Sequence, residues 1–353
     1  MNNAMKKDYH IVEKTKWFAL ISLVIVLVAA VMMVVRGMNI GIDFTGGATI
    51  EFELDTFAED KDFQKNFDTE MRKILEENYS ISDQMQVSPS GAGYTYSYRL
   101  NNYFKGTYGA NNYNGALGNS DEAHNDFINS LKSTEADGVS TKLYEKVMEL
   151  VPSDVENFNP TDSELIRITD IGPTASETLL NSAIWATIVA LIVILVYIII
   201  RFTFFSGLAA LIALFHDVLI MVALTTIFYI PVNSTFIAAI ITIIGYSINA
   251  SIVIFDKIRE CKNPNNTAFA MASDTEIANY AIKHSFMKIF LSTVTTLIMV
   301  VAVVMFSVST IREFVLPIIF GLISGLFSAL CLSPTLWVAF EKMNKKRKEK
   351  KKA

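Results

Sequence analysis

Six long apolar stretches, interrupted once by a large polar insert, constrain this chain more tightly than any motif in it. The stretches are Trp17–Val35, Ala183–Ile200, Phe204–Ile230, Phe236–Phe255, Phe286–Phe306 and Val315–Phe340. Each reaches or approaches the ~20 residues that carry an α-helix, rising ~1.5 Å per residue, across a hydrocarbon core ~30 Å thick. The sequence therefore predicts an α-helical polytopic membrane protein of six spans. Its parts are residues 1–36 (N-terminus and first span), 37–182 (a polar domain), 183–340 (a five-helix bundle) and 341–353 (a basic tail).

Charge sets the expected orientation. The net charge of −5 conceals an asymmetry: residues 37–182 carry 25 acidic and 10 basic side chains. The flanks are correspondingly basic, with Lys6, Lys7, Lys14 and Lys16 before the first span and a cluster over Lys345–Lys352 after the last. Lys and Arg near span ends are retained on the cytoplasmic side. Arg201, and Lys257, Arg259, Lys262, Lys283 and Lys288, fall in loops on that same side. The loops around Pro231–Asn233 and Ser307–Glu313 hold one Arg and one Glu. Both termini are thus expected in the cytosol and the acidic domain outside it, in a cytoplasmic membrane. The first span is longer than the apolar core of a cleaved signal and lacks a small-x-small site, so it reads as a retained anchor. Cys261 and Cys331 are the two cysteines and neither lies in the outer domain, which must stand without disulfides.

Within that domain Thr49–Leu54 alternates apolar and acidic residues, the period of a half-buried strand. Phe63, Phe67, Met71, Ile74 and Leu75 fall at helical spacing over Asp60–Tyr79. Met85–Val87 and Tyr94–Leu100 read as strands around a Pro89–Gly93 turn, and Asn101–Asn119 as an exposed loop. Helices over Ser120–Lys132 and Ser140–Val151 and a strand at Leu165–Ile168 complete an α/β sandwich of the ferredoxin-like kind. His124 reads as solvated surface. There is no catalytic set, metal-ligand spacing or nucleotide-binding loop, so an enzyme, a bound cofactor and nucleic-acid recognition are not expected.

A charge at the bilayer centre costs at least ~2.5–3.5 kcal/mol, so an ionisable residue deep in a span is a functional candidate. His216-Asp217, near the middle of the third span, is the plain case. Asn249, flanked by Ser247 and Ser251, and the span-five hydroxyls Ser292, Thr293, Thr295 and Thr296 suggest a polar seam between spans three, four and five. The plainer reading is that these groups only bond neighbouring helices, at ~0.6 kcal/mol each. Gly321-x-x-x-Gly325, with Ser324 and Ser328, reads as a close-packing face.

Several segments resemble the SecD/SecF protein-export family. Gly41-Ile-Asp43-Phe-Thr-Gly46-Gly47 is similar to its Gly-x-Asp-Phe-x-Gly-Gly segment, and Ile171-Gly172-Pro173 to its Val-Gly-Pro entry motif. Ile200-Arg-Phe202 and Phe215-His-Asp-Val218 also match. Ile243-Ile-Gly245-Tyr246-Ser247-Ile-Asn249, continuing through Ile254-Phe-Asp256-Lys-Ile-Arg259-Glu260, resembles the signature of the SecF branch, and the likeness runs in order from the first span to the sixth. The resemblance implies half of an RND-like architecture and an accessory role beside the SecYEG channel. It implies SecD as partner, with a YajC-like small subunit, unfolded exported polypeptide and the lipid bilayer as further contacts, and the proton motive force as fuel.

The chain departs from the family at one place. Where the pattern has an Asp after the Asn, this sequence has Ala250, and the Arg expected in span five aligns with Lys288. Ala carries no proton. Asp217, His216, Asn249 and Lys288 are therefore the proton-coupling candidates, with a passive assembly subunit as the alternative. A small-molecule RND-type exporter is disfavoured because a single six-span unit supplies only half of that architecture.

Overall fold

The computed structural model describes residues 11–352 except 82–84, 91–92, 105–120, 134–137, 154, 156–157, 159, 264, 266 and 308. The longer helices are α1 (Ile11–Arg36), α2 (Lys61–Asn78), α3 (Asp121–Lys132), α4 (Val139–Leu150), α5 (Pro173–Arg201), α6 (Phe204–Ile227), α7 (Ser234–Cys261), α8 (Asp274–Phe306), α9 (Ser309–Phe327) and α10 (Ser333–Lys352). The strands are β1 (Gly47–Leu54), β2 (Tyr79–Ile81), β3 (Gln86–Ser90), β4 (Gly93–Phe104) and β5 (Ile166–Ile171). Among the described residues, six helical segments are long and apolar enough to cross a membrane: those of α1, α5, α6, α7 and α8, and the α9–α10 run. The chain forms two compact units, residues 40–184 with 306–312, and residues 1–39, 185–305 and 313–353.

In the first unit the sheet runs β2-β4-β1-β5, with β3 hairpinned onto β4 and every pair antiparallel. The alternation in β1 turns Ala48, Ile50, Phe52 and Leu54 inward. Against them α2 lays Phe67, Met71 and Leu75, all fully buried. Phe67 meets Phe52 and Tyr96 edge-on, at 5.3 and 4.9 Å between ring centres. Buried phenols need partners: Tyr98 Oη donates to Asp68 Oδ1 at 3.1 Å and Tyr96 Oη donates to the Ala58 carbonyl. At the start of β4, a Cβ on Gly93 would lie 2.0 Å from the Leu54 carbonyl oxygen, so only glycine fits.

Two expectations for this unit are corrected. Residues 101–104 continue β4 instead of opening a loop, because they extend its pairing to β2; residues 105–119 of the expected loop lie outside the described residues. His124 is not solvated surface. It is 6% exposed, with Nε2 3.3 Å from Asp170 Oδ2 on β5, while Lys132 Nζ donates to Asp170 Oδ1 at 2.9 Å. Partial burial alone would raise the Asp170 carboxyl, but the bonds from Lys132 and His124 outweigh that and hold it below its ordinary value.

In the second unit α6 buries one face, which includes Ala213, Leu214, Asp217 and Met221. Gly207, Ala209, Ala210 and Ala213 keep its packed face narrow, and Thr203 caps its start by accepting from the Ser206 N–H. α7 and α9 approach closely where a Cβ on Gly321 would sit 2.4 Å from Ile243 Cγ1. Between α9 and α10 the chain makes a π turn, Ser328–Leu332. The basic tail continues α10 as helix to Lys352. Lys345 and Lys262 both reach Asp274, which is 6% exposed, and Lys262 stands 4.7 Å over the Trp337 ring.

Candidate functional site

The polar residues inside the spans gather around one carboxylate. Asp217, at the middle of α6, is fully buried. Ser324 Oγ donates to its Oδ1 at 2.7 Å, and Ser247 and Ser328 each donate to its Oδ2 at 2.5 Å. His216 Nδ1 lies 3.2 Å from Oδ1, and its Nε2 lies 2.8 Å from Ser22 Oγ on α1. Each carboxylate oxygen thus has two side-chain neighbours, drawn from α6, α7, α9 and the π turn. A hydrogen bond to a charged group contributes ~1.5–3 kcal/mol. Three such hydroxyls are together enough to offset the ~2.5–3.5 kcal/mol that a central carboxylate costs on insertion scales.

Small residues make the approach possible. A Cβ on Gly325 would lie 3.4 Å from Ser247 Cβ and 3.7 Å from Asp217 Oδ2. The spacing that lets α7 and α9 touch also brings their hydroxyls onto the carboxylate. The expected seam between spans three, four and five is therefore corrected: it joins spans three, four and six. In span five Thr293, Thr295 and Thr296 donate to carbonyls four residues back in their own helix, so their hydroxyl protons are spent there and none reaches Asp217.

Asn249 and Lys288 lie elsewhere. Asn249 is exposed, since α7 turns Ser247 and Ala250 inward and Gly245 and Asn249 outward. Together with Tyr246, Ala250, Ser292 and Thr293, they line a cavity of about 50 Å³. Tyr246 Oη is buried there with no hydrogen-bond partner among the described residues.

The remaining motif residues hold backbone or helix ends. Gly41 precedes a single helical turn, closed by the Gly46 N–H donating to Ile42 O at 2.8 Å, with half-buried Asp43 on the turn. Gly46 (φ 71°) and Gly47 (φ 123°) then reverse the chain into β1, conformations that L side chains rarely adopt. Gly172 O accepts the Ser176 N–H, and Pro173 opens α5 at the position where a missing N–H costs nothing. Asp256 pairs with Arg201 at 3.3 Å and Arg259 at 3.9 Å, and Glu260 with Lys257 at 2.9 Å. Sequence reasoning missed Ser22 altogether and took Ser324 and Ser328 for packing residues. Their spacing of four, on the face carrying Gly321 and Gly325, was the available signal for the latter two.

The family described as protein export membrane protein SecD/SecF, C-terminal, matches residues 151–343, and the SecD/SecF GG motif matches residues 31–56. A protein translocase subunit SecF from Rickettsia bellii (strain OSU 85-389) is 35% identical over 195 residues, 55% of this chain and 63% of that protein. The chain thus spans less than two thirds of that relative in the alignment. A subunit of the same name from Petrotoga mobilis is 28% identical over 339 residues, 95% of this chain and 97% of that one. The crystal structure of SecDF, a translocon-associated membrane protein from Thermus thermophilus, shares the fold with a TM-score of 0.67 at 24% identity, covering 97% of this chain and 40% of that one. A matched segment of more than half the chain, holding Asp217 with His216, Ser247, Ser324 and Ser328, makes this protein a member of the SecD/SecF family of protein-export membrane proteins.

Proposed function

We propose that the chain is an accessory subunit of the Sec translocase, working with SecD beside the SecYEG channel and coupling late polypeptide export to the proton motive force. The observation that carries the coupling is Asp217. It is an ionisable group fully enclosed among spans, and His216 stands between it and Ser22. A proton arriving at the Ser22 oxygen lets that hydroxyl pass its own proton to His216 Nε2, while the Nδ1 proton moves to Asp217 Oδ1, and the serines reorient their hydroxyls as the carboxylate gains or loses charge. The α/β unit is ferredoxin-like in this reading: β1-α2-β2 and β4-α3/α4-β5 interleave as two split units, which the order β2-β4-β1-β5 supports. It faces away from the cytosol and holds unfolded exported polypeptide, and both termini are cytosolic.

Asp217→Asn is the test. Gradient-dependent secretion falls at least tenfold while the complex with SecD still assembles; normal secretion removes the coupling role. Membrane sidedness is checked by labelling a cysteine placed at exposed Asn125 on α3, which an impermeant reagent reaches from outside intact cells. One observation favours a second reading, a passive assembly subunit: Ala250, buried beside Lys288, offers no carboxylate. Under that reading Asp217→Asn weakens assembly and secretion in proportion.

A further inference from the structure

A second cavity, of about 250 Å³, lies between α1, α6 and the π turn after α9. On α1 its lining runs from Thr15 to Val26. Its walls are otherwise mainly aromatic and aliphatic, and it opens sideways past Leu23 (54% exposed) and Phe327 (49% exposed). Every hydroxyl and ring nitrogen bordering it is already engaged within the protein. Thr15 Oγ1 bonds Cys331 O and Thr335 Oγ1, Ser22 bonds His216, and Ser328 donates to Asp217.

We infer that this groove binds one acyl chain of a membrane phospholipid, from the leaflet on the side of the chain termini. Three features specify that occupant. The polar groups are satisfied, so water would gain few hydrogen bonds there, and apolar cavities of ~150 Å³ stay dry and take up apolar molecules. The twelve residues from Thr15 to Val26 rise ~16 Å along α1, close to one leaflet of a hydrocarbon core ~30 Å thick. The mouth opens between helices that cross a membrane, where acyl chains are the solvent. Ser22 and His216 both border the seated chain. The π turn contributes by placing Phe327, Ser328, Cys331 and Leu332 together on one wall.

The test is photolabelling of the full chain in vesicles of a phospholipid carrying a diazirine near the end of one acyl chain, with labelled peptides mapped by mass spectrometry. Labels are expected on residues 15–26 and 327–332 that resist dilution by excess unlabelled phospholipid at least tenfold longer than labels on α5, whose apolar residues such as Ile184 and Ile192 are freely exposed. Ala19→Phe, which fills the groove, should remove the resistant labels and leave those on α5 unchanged. Equal dilution at both places in the unaltered chain overturns the proposal, whether or not the variant folds. So does resistant labelling by a free diazirine fatty acid with none by the phospholipid.

Discussion

Ser328 and Ser247 approach the same oxygen of Asp217, each at 2.5 Å, from opposite helices. The carboxylate is therefore a joint between α7 and the π turn as well as a charge. Removing one hydroxyl leaves a buried acceptor underused, at ~1–3 kcal/mol. Ser328→Ala and Ser247→Ala should each lower the thermal midpoint of the purified protein. The double variant should cost more than the sum, because either hydroxyl alone still serves that oxygen and losing both leaves it unsatisfied. Strict additivity would show that the two bonds do not share the carboxylate.

The same pair shows what could be read from sequence. An Asp deep in an apolar run is visible because its solvation cost is intrinsic to the residue. Its partners are not visible, because a serine in a span has two uses, bonding its own helix or bonding a neighbour, and only packing decides. Thr293 and Thr296 took the first course, Ser324 and Ser328 the second. The strands of the α/β unit were legible where alternation was strict, as at β1. Three-residue β2 was missed for want of a period, and His124 misread because its burial depends on Asp170, distant in sequence. All six spans were legible, since length and hydropathy alone define them.

Gly321 sets how closely α7 and α9 pack. A methyl there would meet Ile243 Cγ1 at 2.4 Å and both Cγ2 and Cδ1 at 2.8 Å. Helix propensity favours alanine over glycine by ~1 kcal/mol. Overpacking against a β-branched side chain costs ~1–3 kcal/mol and should win. Gly321→Ala is expected to destabilise the protein, and Ile243→Ala to recover part of the loss in the double variant. Thermal unfolding of the four-member cycle decides it; a stabilised Gly321→Ala would show that the helices move apart freely.

Acid should loosen the edge of the sheet at β5. Lys132 and His124 hold the Asp170 carboxyl below its ordinary value of 3.8. A depressed folded-state value means stability that is present above the unfolded value and lost as pH falls through the folded one. Protection factors against hydrogen exchange at residues 166–171, which remove the intrinsic pH dependence of the exchange rate, should fall below about pH 3.8 relative to neutral pH. Asp170→Asn should already exchange faster at pH 7 and lose that part of the acid response. An unchanged acid response in the variant would place its origin in other carboxylates.

Ala250 and Lys288 border the same 50 Å³ cavity, which is roomier than the ~10–15 Å³ a single water requires. A carboxylate introduced by Ala250→Asp can therefore occupy that space beside the ammonium and the unpartnered Tyr246 hydroxyl without forcing the helices apart. Ala250→Asp alone should fold with a thermal midpoint near that of the unaltered chain. Ala250→Asp combined with Lys288→Met leaves a charge with no counterpart, a change that costs ~3–5 kcal/mol where pairs are broken in buried sites. The exposed position of Lys288 moves the expected loss toward the lower end of that range. A double variant as stable as Ala250→Asp would mean that the new carboxylate does not reach Lys288. If Ala250→Asp also restores gradient-dependent secretion to a chain carrying Asp217→Asn, coupling can run through either position. If it does not, Asp217 cannot be replaced from this cavity.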